Sequence, residues 1–274
     1  MAERLQWIKL EPRAWLDANP LRGGVQTHQR VHQHWPLAER CLWPDAWGDA
    51  QLPSDSMSSA LGALQVRQVM QALSAPWWSV QRWRRPQPRW CAPAAQSVDM
   101  VWSNMALHMD AQPTQTLRLW LQALRPQGFV MFSCLGPDTL RELRQRYAAL
   151  GWQAPAHEYT DMHDWGDMLV QAGFAEPVMD MERVTLTYAC ATDCLAELRQ
   201  LGRNLHAARY GAVRTRAWLS QLQTALMHSS DNGGAALTFE IIYGHALRPQ
   251  PRPASQPGIS LEALRAQLPS RDKL

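Results

Sequence analysis

The sequence predicts an α/β layered domain built on a mostly parallel sheet, and three observations carry that prediction. From residue 97 onward, strand-like runs alternate with segments of helical periodicity, the pattern of a parallel sheet with helical crossovers. Gly128 to Cys134 (GFVMFSC) is almost continuously apolar rather than alternating, as expected of a strand buried on both faces. Apolar residues make up 46% of the 274 residues and charged ones 19%, enough to bury a core and too apolar for global disorder.

The first 96 residues are the least regular. They hold Trp7, Trp15, Trp35, Trp43, Trp47, Trp77, Trp78, Trp83 and Trp90, nine of the 14 tryptophans. Ala14-Trp15-Leu16 reads as a short strand, and Pro20-Leu21-Arg22-Gly23-Gly24 as turn chemistry. Val25 to His34 reads as a helix stopped before Pro36. Arg40 to Trp43 reads as a second short strand, ended by Pro44-Asp45. Met57, Leu61, Leu64, Val69 and Leu73 fit one face of a helix that Pro76 ends. Beyond it, WWSVQRWRRPQPRW (77–90) reads as an irregular aromatic and basic linker.

The pattern then sharpens. Val98 to Trp102 is a strand closed by Ser103-Asn104, and Thr116 to Leu124 an amphipathic helix stopped near Pro126. After the strand Gly128 to Cys134, Gly136-Pro137-Asp138-Thr139 opens a helix with Asp138 or Thr139 as N-cap. Asp161 to Ala172 is a helix with Gly173 as its C-terminal stop. Pro177 to Tyr188 holds one long strand, or two meeting at a bend. Thr192 to Leu205 and Arg214 to Met227 are helix-periodic, and Leu237 to Tyr243 is a strand after an Asp231-Asn232-Gly233-Gly234 turn. Residues 1–249 thus read as one domain, divergent over 1–96 and regular over 97–249. Residues 250–274 read as a Pro-rich linker with a short capped helix from Ser260 to Leu268.

Charge and cysteines narrow the function classes. Lys+Arg 27 against Asp+Glu 24 leaves a net charge of +3, too mild to argue for nucleic acid. No stretch approaches the roughly 20 apolar residues of a membrane span. The start, MAERLQWIKLEPRAW, carries charges where a signal peptide needs its apolar region. Cys41, Cys91, Cys134, Cys190 and Cys194 are odd in number and scattered. That pattern disfavours a disulfide scaffold and makes a reduced cytoplasm the expected setting.

Four strings carry a resemblance: VDMVWSNMALHM (98–109), LRPQGFVMFSCLGPDTLREL (124–143), DMHDWGDMLVQAGFAEPVMDMERVTLTY (161–188) and FEIIYGHALRP (239–249). Together they resemble the S-adenosylmethionine-dependent class I methyltransferases. GPDTL, MHDWGD and YGHA narrow the likeness to the malonyl-acyl-carrier-protein O-methyltransferases of biotin synthesis. The likeness covers about half of the chain. It implies a Rossmann-like fold with a mostly parallel seven-stranded sheet whose last strand is antiparallel, here with a shortened N-terminal part. It implies methyl transfer from S-adenosylmethionine to the free carboxylate of malonyl-acyl carrier protein or malonyl-CoA, with the cofactor across the carboxyl ends of the first strands.

The cofactor residues implied by the resemblance are Asp17 after the first strand, Gly23 and Gly24 in the next turn, Asp45 toward the ribose hydroxyls, and Ser103-Asn104. The family's glycine-rich turn lets backbone touch the cofactor. Here Asn19 and Pro20-Leu21 occupy its earlier glycine positions. Their side chains, and the N–H missing at Pro20, predict weakened or lost cofactor binding. A second function therefore stays open: a catalytically silent, methyltransferase-like protein that binds a partner in the same pathway. For the acceptor, a carboxylate with a pKa of ~4 is already ionised at neutral pH. No catalytic acid or base is assigned, and a selecting cation is what the chemistry needs. Arg141, Arg183 and Arg203 are the candidates, with Tyr243 and His245 as neutral donors and His163 beside them.

Plainer readings stand next to each of these. Asp17 with Gly23-Gly24 also makes an Asp-capped turn, Asp45 an Asx turn, and Ser103-Asn104 a strand-ending turn. Asp161, His163, Asp164 and Asp167 complement a helix dipole rather than hold a metal. His28, His32 and His34 read as a solvated polar face. Cys190 and Cys194 lack the spacing and second pair of a zinc site. Trp77, Trp78, Trp83 and Trp90, interleaved with Arg82, Arg84, Arg85 and Arg89, suit single-stranded nucleic acid or an acidic carrier protein. In the plainer version the tryptophans pack on the sheet edge and the arginines stay in water.

Overall fold

Seven strands form one sheet: β1 (Ala14–Ala18), β2 (Glu39–Trp43), β3 (Arg89–Trp90), β4 (Val98–Asn104), β5 (Leu124–Leu135), β6 (Ala175–Tyr188) and β7 (Ala235–Leu247). Their order is β3-β2-β1-β4-β5-β7-β6. The computed structural model describes residues 1–43, 66–90, 92–201, 204, 206–227 and 234–251. Neighbours from β3 to β5 are parallel. β7 lies between β5 and β6, antiparallel to both. Residues 98–102 and 129–134 lie on adjacent parallel strands, with the strand that holds 237–243 antiparallel beside the latter. Pro177 to Tyr188 belongs to one long edge strand whose register shifts near its start.

The helices are α1 (Pro20–Gly23), α2 (Val25–His34), α3 (66–73), α4 (Val80–Arg84), α5 (Pro113–Ala123), α6 (Arg141–Ala149), α7 (Met162–Ala172), α8 (Ala191–Gln200) and α9 (Arg216–Leu226). A 3-10 turn, Ala2–Trp7, precedes β1. Alternate residues of β5 explain its unbroken apolar run. Val130, Phe132 and Cys134 join Leu117 and Trp120 of α5 and Trp165 and Leu169 of α7 in one core layer. Phe129 and Met131 face the other layer, with Leu5, Val31 and Trp35. Gly244 is required by this packing: a Cβ there would sit 2.3 Å from ring atoms of Phe132, its partner across the β5–β7 pair. A third apolar cluster joins α6, α8 and α9 to Ala235 and Leu237 at the start of β7. Helices α8 and α9 enter between the end of β6 and the start of β7, so they cap the end of the sheet where the parallel strands finish.

Local signals and tertiary contacts disagree at several points. α7 starts on Asp161, whose carboxylate accepts the His163 N–H, and ends on Gly173 at φ 103°, as the sequence predicts. α6 instead starts later, at Arg141, with Leu140 at its N-cap in the left-handed region. Neither Asp138 nor Thr139 caps it: the Asp138 carboxylate pairs with Arg183 at 2.8 Å, and the Thr139 hydroxyl donates to the backbone carbonyl of buried Glu240 at 3.2 Å. Pro20 to Gly23, expected as a turn, is a short helix with Pro at its start, where a missing N–H is tolerated. The 77–90 linker contains α4 and β3. Three of its four tryptophans do not pack on the sheet, Trp77, Trp78 and Trp83 being 76%, 72% and 85% exposed, whereas Trp90 is half-buried on the edge strand β3. Asp45, Cys91, Arg203, the front of the 57–73 helix, most of the 231–234 turn and the C-terminal helix lie outside the described residues.

Candidate active site

The loop after β1 is held open by Asn19. Its backbone lies at φ 74°, ψ 59°, a left-handed conformation that glycine adopts freely and that asparagine tolerates best among the other residues. The Asn19 N–H donates to the Trp43 carbonyl at 2.7 Å, tying the loop to the end of β2. Its side chain accepts the Arg22 N–H at 3.2 Å. Asparagine thus supplies the backbone geometry of an absent glycine. Gly23 approaches β4 so closely that a Cβ would meet the Asn104 carbonyl at 3.1 Å. Gly24 follows at φ 84°.

Asn104 clamps this loop to the sheet. Its amide donates to the Gly23 carbonyl at 2.8 Å, and its side-chain oxygen accepts from Ser133 at 3.0 Å. Ser103 beside it is buried, and its hydroxyl has no partner. A small cavity at the ends of β1 and β4 is lined by Ala18, Asn19, Ser103, Asp110 and Trp120, and the Trp120 Nε1–H is likewise unpartnered. Asp17 faces away from it. Its carboxylate is buried against His28 Nδ1 of α2, at 2.7 Å, and burial pushes its pKa up against the pull of that hydrogen bond. His28, expected on a solvated face, is fully buried and leans on the Trp15 ring at 4.6 Å.

Next to the Asn19 loop a cavity of about 610 Å³ opens at the carboxyl ends of β4 and β5. Its polar lining includes Arg22 from α1, His108 from the turn after β4, and His157 and Tyr159 from the segment before α7. The rings interlock: Tyr159 lies 4.5 Å from His157 and 5.8 Å from His108. Arg144 pins them, donating to the carbonyls of Pro137 and His157 and reaching over the Tyr159 ring. Burial, helped by the charge that His157 carries when protonated and by Arg22, pulls His108 down to about 4. Burial also lowers His157. Both rings are therefore neutral at pH 7, and His108 Nδ1 and His157 Nε2 have no partner. Much of the remaining lining is apolar, with Leu140, Tyr147, Leu195, Trp218 and Phe239.

The acceptor-side candidates fall elsewhere. Arg141 is half exposed and pairs with Glu142. Arg183 pairs with Asp138 at 2.8 Å and reaches Glu240 at 3.6 Å. His163 is 80% exposed at the start of α7, bonded to Asp161. Tyr243 and His245 lie on the opposite face of β7 from Ile242 and Ala246. Tyr243 donates to Glu182 beneath Arg4, and His245 stacks on Phe129. None of these five lines the cavity. Sequence reasoning missed Arg22, His108, His157 and Tyr159. The signal present was their proximity to the motif strings: Arg22 sits inside the degenerate loop, His108 inside VDMVWSNMALHM, and His157 and Tyr159 just ahead of DMHDWGD. Among the described residues, no group of three or more His, Cys, Asp or Glu is placed to hold a metal.

The strand order, the single antiparallel strand and the cavity over the carboxyl ends define the methyltransferase fold. Solved structures that share it include a Bacillus halodurans C-125 protein assigned as a methyltransferase (TM-score 0.55, 13% identity, 91% of this chain and 98% of that one). The YcgJ protein of Bacillus subtilis is similar too (TM-score 0.51, 11% identity, 91% and 97% covered). No family model matches the chain. Curated relatives do: the malonyl-[acyl-carrier protein] O-methyltransferase of Gallionella capsiferriformans is 37% identical over 92% of this chain and 82% of its own length. The Methylovorus enzyme of the same name is 34% identical over 95% and 83%. That of Laribacter hongkongensis is 42% identical over a shorter stretch, 58% and 54%. The chain belongs to the malonyl-[acyl-carrier protein] O-methyltransferase family, and the likeness extends well beyond the half that the motif strings cover.

Proposed function

We propose that this chain transfers the methyl group of S-adenosylmethionine to the free carboxylate of a malonyl thioester carried on acyl carrier protein, with malonyl-CoA as a soluble surrogate. One observation carries the reading: the 610 Å³ cavity opens beside the loop after β1, and Arg22 of that loop lines it. Bound S-adenosylmethionine supplies an electrophilic methyl group on a sulfonium. The left-handed Asn19, the Gly23 approach and the unpartnered Ser103 hydroxyl fit such a group at the ends of β1 and β4, with Asn104 holding the loop in place. Asp45 and Gly24 are the further cofactor candidates. Asp17 acts through the loop rather than by contact, because its carboxylate is committed to His28.

The carboxylate needs no base, since it is ionised at neutral pH. Arg22 selects it, and the neutral His108, His157 and Tyr159 orient it without adding charge. The apolar part of the lining covers the uncharged remainder of the acyl arm. No observation favours the catalytically silent alternative. Cys134, Cys190 and Cys194 are free thiols, in keeping with a reducing cytoplasm. No helix of the described residues is long and apolar enough to cross a membrane. Carrier docking on the arginines of 82–89 is disfavoured by geometry. Arg40, at the entry of β2, binds the Leu73 and Pro86 carbonyls, so that segment lies at the opposite end of the sheet from the cavity.

Methyl ester formation by the purified chain, followed by mass spectrometry, tests the proposal. Arg22→Met should raise KM for the malonyl substrate roughly tenfold or more, the effect of one lost charge-assisted hydrogen bond. Arg141→Met should leave it unchanged. Failure to form ester from malonyl-acyl carrier protein would overturn the reading, and an unchanged KM in Arg22→Met would remove Arg22 from it.

A further inference from the structure

The segment 74–85 is an Ω-type loop whose ends are fastened together. Buried Arg40, at the entry of β2, donates to the carbonyls of Leu73 at 3.3 Å and Pro86 at 2.8 Å, the residues that flank the loop on either side. Gln87, just beyond it, ties the interior. Its side-chain oxygen accepts the Ala75 N–H at 3.1 Å, and its amide donates to the carbonyls of Arg85 at 3.1 Å and Arg82 at 3.4 Å. Arg82 closes back on the Ala75 carbonyl at 3.1 Å. A loop fixed this firmly nevertheless leaves Trp77, Trp78, Val80 and Trp83 exposed. Leu37, just before β2, and Leu10, ahead of β1, are exposed at the same end of the sheet, where the parallel strands begin. Clustered apolar exposure of this kind marks an interaction surface.

The charge of this surface is positive. No aspartate or glutamate occurs between Asp55 and Asp99, a stretch that holds Arg82, Arg84 and Arg85. Arg84 and Arg85 are exposed and make no ion pair among the described residues. The exposed acids Glu11 and Glu39 at this end are matched by the exposed Lys9 and Arg13, so the arginines of the loop set the sign. Trp77 and Trp78 meet edge to face, with centroids 5.7 Å apart and planes at 87°. They therefore offer no parallel platform to successive bases of a nucleic acid, and Val80 has no use in stacking. Indole rings with an aliphatic neighbour and flexible arginines suit the headgroup region of a bilayer. There the rings sit at the interface, and the guanidinium groups reach anionic headgroups. We propose that the 74–85 loop seats the chain on an anionic lipid surface, lying on the membrane rather than crossing it. The 610 Å³ cavity, at the opposite end of the sheet, is then left facing water.

Co-sedimentation of the full chain with vesicles tests this. Phosphatidylcholine vesicles with about 30% phosphatidylserine should bind it at low salt, and added salt should weaken that binding. Vesicles of phosphatidylcholine alone should bind at least about tenfold more weakly. Each arginine near such a surface contributes about fivefold, so the double variant Arg84→Gln, Arg85→Gln should weaken binding about tenfold or more. Trp83→Ser should weaken it to a similar degree by removing an inserted ring. Both variants alter exposed side chains, so each should melt as the wild type does. No binding to the anionic vesicles, equal binding to the neutral ones, or undiminished binding in either variant would overturn the proposal. Tighter binding to a single-stranded oligonucleotide than to the vesicles would overturn it too, and would mark a nucleic-acid surface instead.

Discussion

Asn19 offers a direct test of how the loop after β1 is built. At φ 74° and ψ 59°, an alanine would suffer the left-handed clash of Cβ with the following carbonyl, about 1–2 kcal/mol. It would also lose the side-chain bond to the Arg22 N–H, a capping contact whose replacement by alanine costs about 1 kcal/mol. Asn19→Ala should therefore destabilise by about 2 kcal/mol, which for a chain of this size lowers Tm by roughly 4–8 °C. Asn19→Gly loses the same side-chain bond but carries no Cβ strain. Replacing an N-cap by glycine costs only a few tenths, and the added freedom of the unfolded chain costs about 0.4–1 kcal/mol. The expected order of stability is wild type, then glycine, then alanine, with a gap of about 1 kcal/mol between the two variants. Denaturant unfolding at fixed pH measures it. An alanine variant as stable as the glycine variant would refute the claim that asparagine stands in for a left-handed glycine.

Gly244→Ala should cost about 1–3 kcal/mol by overpacking, because its Cβ would fall 2.3 Å from the Phe132 ring; calorimetric melting checks this, and Phe132→Leu in the same chain should recover part of the loss. His108, held at about 4 by burial, has a folded pKa below its unfolded value of about 6.5. Its contribution is thus fully present above pH 6.5 and is lost as pH falls through 4, by roughly 2 kcal/mol once partial exposure is allowed for. Unfolding curves between pH 7 and 4 should show His108→Phe flatter than wild type in that window, and parallel curves would contradict the burial argument. Breaking the buried Asp17–His28 pair with His28→Ala should destabilise by about 3 kcal/mol or more, whereas His163→Ala, on an 80% exposed side chain, should stay within about 0.5 kcal/mol.

The outline of the C-terminal half follows from local physics that the sequence displays. GFVMFSC is apolar at every step because β5 is covered on both faces, and Asp161 and Gly173 bound α7 because capping involves only a few neighbouring residues. The motif strings were enough to name the family; they lie on β4, β5, the turn into α6, α7, β6 and β7. Other properties depend on partners distant in sequence. Whether Asn19 damages or preserves the loop depends on a left-handed backbone tied to Trp43. Asp17 turns from the cofactor crevice toward His28 because successive strand residues face opposite layers. The same alternation, with the β5–β7 register, puts Tyr243 and His245 on the face away from Ile242 and Ala246. Arg22, His108, His157 and Tyr159 line one cavity only because α1, the turn after β4 and the segment before α7 end at the same edge of a parallel sheet. Spacing along the chain does not encode that convergence; strand order and direction do.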